Sequence, residues 1–434
     1  MERATSNIKK CTIISNKTKQ EVSLLGKGGV DRLYYYESIL QDSIKIDVIF
    51  NDAGNAINEK SVVEGLPLVG TEEVDVEIED VNQRSLKVKM YVNKVTPLGE
   101  DSMKSKVNIT LVSDEFITNE VGKSRVNKRF DGKISDHIQK LMIDNLKSKK
   151  QLNIEETENN YNFIGNNRKP IYVINWLSKK SIPTKDGKKG QSAGFLWFET
   201  SNGYNFKSID SLFAQKQKKS YIFTNTTDKN GKIPAGYDGS ILQHNPDNRI
   251  NAQEKFKMGT YGTRIVLFDP FNCYYEVSKQ TADETKGGTK LAAKDLPKLN
   301  EKFGTMDDFT RTTYMLIDKG TLPTGDSEGQ IEKSKEQNFD SKSILNQSIR
   351  RYNQIFSAKE EVTIDADYSL HAGDAIFIDT PSIQKDTGSD VNREFGGLYI
   401  ISDLCHFISP KASYTKLNLI RDSFGRKGNH TTSV

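Results

Sequence analysis

The chain has 434 residues, 62 Lys or Arg against 58 Asp or Glu, a net charge of +4 and 35% hydrophobic residues. That length exceeds one ordinary core and implies two to four domains, while the near balance of charge argues against a bulk nucleic-acid binder. Cys11, Cys273 and Cys405 are too few and too scattered for a disulfide framework or a Cys/His metal cluster, and no run approaches the ~20 apolar residues of a membrane span. With no apolar signal core after Met1, the expectation is a soluble protein made in a reducing cytoplasm, with no membrane partner.

Residues 1–120 read as successive strands: Thr12–Ser15, Glu21–Leu25, Leu33–Leu40, Ile44–Phe50, Glu73–Asp80, Leu86–Val95 and Lys106–Val112. In Glu73–Asp80, Val74, Val76 and Ile78 share one face and Asp75, Glu77 and Glu79 the other, the period of a half-buried strand. Pro97, Gly99 and Glu100 read as a polar loop. Residues 121–215 change character. Ser135 is placed as the cap of a helix over Asp136–Leu146, with His137 on its surface, and Pro170 opens a second helix that stops before Pro183. Thr184–Gln191 reads as a loop; Phe195–Phe198 and Tyr204–Phe206 form a hairpin around Ser201-Asn202-Gly203, followed by Ser208–Phe213.

Beyond Lys216–Lys219, Asp228–Gly239 reads as a loop, and Asn251–Met258, Arg264–Phe268 and Asn272–Val277 read as strands. Ser278–Asp340 is weakly apolar, with a helix allowed from Leu291 to Phe303, and is expected to be an inserted lobe. Asp340 caps a helix to about Phe356 that buries Leu345, Ile349, Tyr352 and Phe356 and leaves Arg350 and Arg351 more exposed. Strands around Val362–Ala366, Ile376–Ile378, Ile400–Phe407 and Leu417–Leu419 follow, with a turn at Ala372-Gly373-Asp374. The end of the chain resembles its beginning: Gly70 before Val74-x-Val76 parallels Gly373 before Ile376-x-Ile378. Tyr91-Val92-x-x-Val95 likewise parallels Ile400-Ile401-x-x-Leu404, and Lys106-Val107-Asn108-Ile109 parallels Lys416-Leu417-Asn418-Leu419.

Ala372-Gly373-Asp374 with its apolar strand, then Leu398–Phe407 and Tyr414–Asp422, resembles the closing segment of the baseplate hub proteins of contractile-tailed phages. The run from Phe195 to Phe213, behind two helices, is similar to their second domain. The resemblance implies an α+β, β-rich multidomain chain with two related tail-tube-like β-barrels: residues 1–120, and residues 216–277 with 341–424. An α+β peripheral domain (121–215) lies between them, an inserted lobe (278–340) sits in the second barrel, and 425–434 is a loose tail. It implies a homotrimeric ring of six similar barrels, joining a trimeric central spike to a hexameric tail tube or its initiator proteins. Wedge proteins and the tape-measure protein are the other partners, and genomic DNA passes through the channel without specific binding. Asp75, Glu77 and Glu79 are candidate lumen-facing residues; Gly70, Gly373 and Asp374 are candidate barrel-tip contacts.

Chemistry is not expected. The five histidines lie singly along the chain, and no HExxH, GxSxG or Walker sequence occurs. Gly26-Lys27-Gly28-Gly29 lacks the Ser/Thr and the helix of a phosphate loop. No catalytic residue, cofactor or metal is therefore assigned. Tyr34–Tyr36 and Phe195–Phe198 read as packing before base stacking, and Lys179, Lys180, Lys185, Lys188 and Lys189 as a solvated surface. A spike-hub of a secretion system, a peptidoglycan hydrolase and a single-strand nucleic-acid binder are the other classes weighed.

Overall fold

A computed structural model describes residues 5–26, 29–53, 57, 59–100, 104–184, 193–223, 233, 235–247, 252–270, 273–281, 300, 302, 310–316, 328, 341–380 and 396–423. The first third folds as β1 (Asn7–Ile14), β2 (Glu21–Ser23), β3 (Val30–Ser38), β4 (Lys45–Ala53), β5 (Glu73–Glu79), β6 (Ser85–Glu100) and β7 (Lys104–Val112). Short helices α1 (Val62–Gly65) and α2 (Asp114–Thr118) follow β4 and β7. The middle unit holds β8 (Arg129–Phe130), α3 (Ile134–Lys140), β9 (Leu152–Ile154), β10 (Phe163–Ile164), α4 (Pro170–Ser178), β11 (Phe195–Thr200), β12 (Gly203–Ser208) and α5 (Ile209–Ala214). The remainder supplies β13 (Lys219–Ile222), β14 (Gly239–Asp247), α6 (Ala252–Met258), β15 (Gly262–Asp269), β16 (Tyr274–Thr281) and β17 (Thr310–Leu316). Then come α7 (Ser341–Gln354), β18 (Ala358–Asp365), β19 (Ala375–Asp379), β20 (Gly397–Ile408) and β21 (Ser413–Arg421).

One 13-stranded sheet runs through both ends of the chain, in the order β19-β13-β14-β18-β21-β20-β3-β4-β7-β6-β5-β1-β2. A further pairing of β19 with β20 closes the first six strands of that order into a barrel. The other half stays open between β2 and β3 among the described residues. Period-two alternation explains the core: Val74, Val76 and Ile78 face Cys11, Ile13, Leu86 and Met90 inside, in one apolar cluster with Val362, Leu417 and Leu419.

The two halves repeat each other in order and register. β3-β4-β7-β6-β5-β1 matches β14-β18-β21-β20-β19-β13. A row across the first sheet, Tyr35–Ile46–Leu111–Val92, corresponds to Pro246–Glu360–Leu419–Ile401 across the second. Two bulges fall at the same places, between Val30 and Arg32 as between Ile241 and Gln243, and between Val92 and Lys94 as between Ile401 and Asp403; β6 has a further bulge, between Pro97 and Gly99, that β20 lacks. Even the strand entries agree: Thr71 N–H donates to Val92 C=O (2.6 Å) as Gly373 N–H does to Ile401 C=O (2.8 Å). Of the three markers read in the sequence, Tyr91-Val92 falls in register with Ile400-Ile401; in the first, Val74 matches Ile376 but Gly70 is one residue short of the counterpart of Gly373; the Lys markers are two residues apart, since Leu111, not Ile109, matches Leu419. The departure is the first strand, antiparallel in β1–β5 and parallel in β13–β19.

Thr71 and Gly373 therefore occupy one position, and both have left-handed backbone, φ 67° and 87°. A β-branched residue is strained there. Thr71→Gly is expected to raise stability by up to about 1 kcal/mol in urea unfolding, less what is lost with the Asn16 side-chain contact at 3.1 Å. An unchanged or lowered midpoint would contradict the strain.

Several sequence expectations need correction. Residues 252–258 form helix α6, not a strand, since Ala, Gln, Glu, Lys and Met are all strong helix formers. Pro97 and Gly99 lie inside β6, not in a loop; Pro97 is accommodated on an edge that has no neighbouring strand beyond Tyr91 among the described residues. Helix α3 starts at Ile134 behind Lys133, so Ser135 is not its cap, and it continues as a wider π turn through Asn145. His137 is fully buried, edge-on to the stacked rings of Phe130 and Phe163, with Nε2 2.9 Å from Tyr161 C=O. Arg350 and Arg351 are buried as well, and Arg351 pairs with Asp210 at 2.6 Å. Lys180 is buried under the Trp176 ring, 3.8 Å from its centroid. Asp340, nearly all of the helix read from Leu291, most of the loop at 184–191, half of that at 228–239, and the tail 425–434 lie outside the described residues.

Candidate assembly surfaces

The junction between the halves is itself a strand pair. β20 pairs with β19 through Gly397–Ile400 and then, past its bulge, with β3 from Asp403↔Ser38 to Ile408↔Leu33. Ile39 N–H donates to Ser402 C=O at 2.8 Å, and Ser38 Oγ to Asp403 Oδ1 at 2.5 Å. Tyr34 packs on Phe407 with ring centroids 5.0 Å apart, and Phe407 on Tyr414 at 4.7 Å. These tyrosines are packing groups.

Two buried carboxylate nodes bind the middle unit to this frame. Glu37, on β3 and 2% exposed, accepts from Tyr35 Oη (2.6 Å), Ser201 N–H (2.8 Å), Ala372 N–H (2.9 Å) and His371 Nδ1 (3.3 Å). One carboxylate thus joins both sheet halves and the β11–β12 turn. Burial alone would push its pKa up; the hydrogen bond and charge of His371, with Tyr35 and Ser201, outweigh it and hold it below the usual carboxylate value. His371 is raised in turn, Glu37 overcoming the opposite pull of burial. Glu199, 1% exposed on β11, accepts from Ile44 N–H (2.9 Å), Ser113 Oγ (2.6 Å) and Lys150 Nζ (2.6 Å). Lys150 also reaches Glu115 at 2.7 Å. Burial leaves Glu199 raised, whereas at Glu115 the Lys150 charge and hydrogen bonds prevail over burial and lower it.

A third node is Asp367, which accepts from Arg84 at 2.6 Å and Tyr221 at 3.2 Å and is bridged to Lys219. Burial opposes ionisation, but the Lys219 and Ser369 hydrogen bonds hold its carboxyl far below the usual range. It fastens the β5–β6 turn to the second half.

The candidate site residues fall in different settings. Asp75, Glu77 and Glu79 lie on the outward face of β5, each beside a cation: Lys10 at 2.6 Å, Lys87 at 2.9 Å and Lys9 at 2.9 Å. The face is charge-balanced rather than bare acid. Gly70, φ 103°, sits at an exposed tip beside Val69, 83% exposed. Gly373 is packed: a Cβ there would lie 2.8 Å from Phe198 Cζ, and Asp374 binds Lys218 at 2.7 Å while accepting from His371 N–H at 2.8 Å. The two tips lie one residue apart in the repeat, Gly70 open and Gly373 covered by the middle unit.

Surfaces missed in the sequence include the outward face of the β16-β15-β17 sheet, where Tyr275, Tyr314 and Leu316 are 70%, 77% and 68% exposed. A cleft of about 540 Å³ opens beside β14, lined by Leu40, Asn245, Pro246, Phe356, Asp403 and Asn418 among others. Apolar residues two apart, Tyr275 and Val277 on β16 and Tyr314 and Leu316 on β17, gave the first signal; the second has none in sequence.

The sequence matches no protein-family model and no curated protein. Solved structures do match. The 43 kDa tail protein of prophage MuSo2 from Shewanella oneidensis superposes with a TM-score of 0.53 at 10% identity, covering 96% of this chain and all of that one. A tail protein from Neisseria meningitidis MC58 does so with a TM-score of 0.51 at 8% identity, covering 96% and 97%. The chain has a phage tail-protein fold. At such identity the likeness is one of fold, end to end, and the β-rich architecture implied by the hub resemblance is the one found.

Proposed function

We propose that the chain is the baseplate hub of a contractile phage tail: a homotrimeric ring, quasi-sixfold in its barrels, between a trimeric central spike and a hexameric tail tube. The observation that carries this reading is the internal repeat of strand order, register and bulges, joined edge to edge through β3 and β20. A chain that folds one module twice offers a threefold partner three equivalent faces and a sixfold partner six. Its role is structural and non-catalytic, its place the virion, and its remaining neighbours wedge, tube-initiator and tape-measure proteins. DNA passes through the channel without specific binding.

In this reading 1–120 and 216–277 with 341–424 are the ring modules, 121–215 is peripheral, 278–340 is the lobe and 425–434 the tail. The β5 face with Asp75, Glu77 and Glu79 lines the channel; its lysine partners would leave it weakly charged, so that phosphate is neither held nor strongly repelled. Gly70, Gly373 and Asp374 mark the axial tips.

Electron microscopy and sedimentation of the full chain, with and without its spike, test the reading. A threefold ring with six similar lobes is expected in the presence of the spike. A monomer under both conditions, or a ring of another order, would overturn it.

A further inference from the structure

In an antiparallel ladder, alternate pairs exchange backbone hydrogen bonds. The Ile39–Ser402 bond fixes the phase at the internal junction, so Glu37–Leu404, Tyr35–His406 and Leu33–Ile408 are its bonded pairs. The shared register carries each position to a counterpart. His406, five residues past Ile401, corresponds to Pro97, five past Val92; Tyr35 corresponds to Pro246, which faces Glu360 as Tyr35 faces Ile46. Both counterparts lie on edges with no neighbouring strand among the described residues. β5 pairs with β6 only as far as Tyr91, and β13 meets β14 only at Gly239 and Ser240. Pro97 and Gly99 are exposed where their counterparts His406 and Phe407 are buried and partly buried, and the bulged Leu98 between them is exposed too.

Resting on the hub reading, we propose that β6 of one copy docks against β14 of the next in the sense of the internal junction, and that Pro97 and Pro246 act as a brake on it. At the pair where the internal junction exchanges two hydrogen bonds, two prolines meet and neither has an N–H to give. The occupant is a second copy because the edge it fills is the counterpart of one already filled within the chain. The outer edges thus do not zip together in solution, and the ring closes only when another component holds the copies side by side. The prolines also keep the edges from recruiting stray strands.

The test combines two variants. Pro97→Thr with Pro246→Thr restores both donors, and at 0.5–1.5 kcal/mol per bond is expected to tighten self-association about tenfold in sedimentation velocity. Gly99→Cys with Asn245→Cys, in a Cys273→Ser background, places thiols at the counterparts of Phe407 and Tyr34, which pack at 5.0 Å; a Cβ at Gly99 meets nothing within 4 Å. Oxidation is expected to link separate chains. Circular dichroism confirms folding of each variant. Cross-links without any tightening by the proline replacements would overturn the brake and leave the hub reading standing. Rings that form without cross-links would overturn the placement of the junction. Chains that neither associate nor cross-link, even with the spike, would overturn both.

Discussion

Glu37→Ala is expected to lower folding stability by about 3–5 kcal/mol, because it strips the shared acceptor from four donors, among them the buried Tyr35 hydroxyl and Ala372 N–H, and removes the charge partner of His371. Urea unfolding followed by tryptophan fluorescence is the measurement; both tryptophans lie in the middle unit that Glu37 ties down through Ser201. Glu37→Gln, which keeps one oxygen and removes the charge, should cost about 1–3 kcal/mol. The pH dependence has a definite sign. The Glu37 pKa is lowered in the fold, so its contribution is present above the unfolded value of about 4.3 and is lost as pH falls through the folded one. The His371 pKa is raised, so its contribution is full below about 6.5 and is lost as pH rises through the folded value. The pair therefore stabilises most between about pH 4.3 and pH 6.5, where both contributions are full, and both flanks should flatten in Glu37→Ala. A loss below 1 kcal/mol, or flanks unchanged from wild type, would show that the node does not hold the three parts together.

Lys150→Met should have an effect of similar size, about 3–5 kcal/mol at neutral pH, since it leaves Glu115 and Glu199 buried with no cation between them. The wild-type Lys150 pKa is raised, the two carboxylates overcoming burial, so its stabilisation is lost only as pH climbs through that raised value. In the variant, the two carboxylates are free to take up protons, so the deficit should shrink as pH falls. A deficit that stays constant between pH 7 and pH 4 would mean that the packing of the lysine stem, and not its charge, is what matters.

Strands with one wet and one dry face were legible in the sequence, because alternation survives any tertiary setting: Glu73–Glu79 and Ala358–Asp365 alternate residue by residue. So was the resemblance between the chain's two ends. Residues whose burial comes from distant chain were not legible. His137, Lys180 and Arg351 occupy positions polar enough to read as surface, and are covered by β8 and β10, by Trp176 and Tyr161, and near Asp210 of α5. The junction itself escaped for a related reason. Tyr34–Tyr36 reads as an aromatic strand, and nothing local says that its second neighbour lies at residues 405–407, more than three hundred positions away. For the candidate surfaces, alternation placed Asp75, Glu77 and Glu79 on the outer face, but their lysine partners on β1 and β6 emerged only with the cross-strand register.

The unbroken ladder from one end of the sheet to the other has a mechanical consequence. Sliding one half past the other along the strands would load the six residue pairs from Ser38–Asp403 to Leu33–Ile408 simultaneously, in shear, whereas a peeling force would break them one by one. The two halves should respond to a shear load as a single stiff strut, yielding first in the surrounding loops and last at the seam.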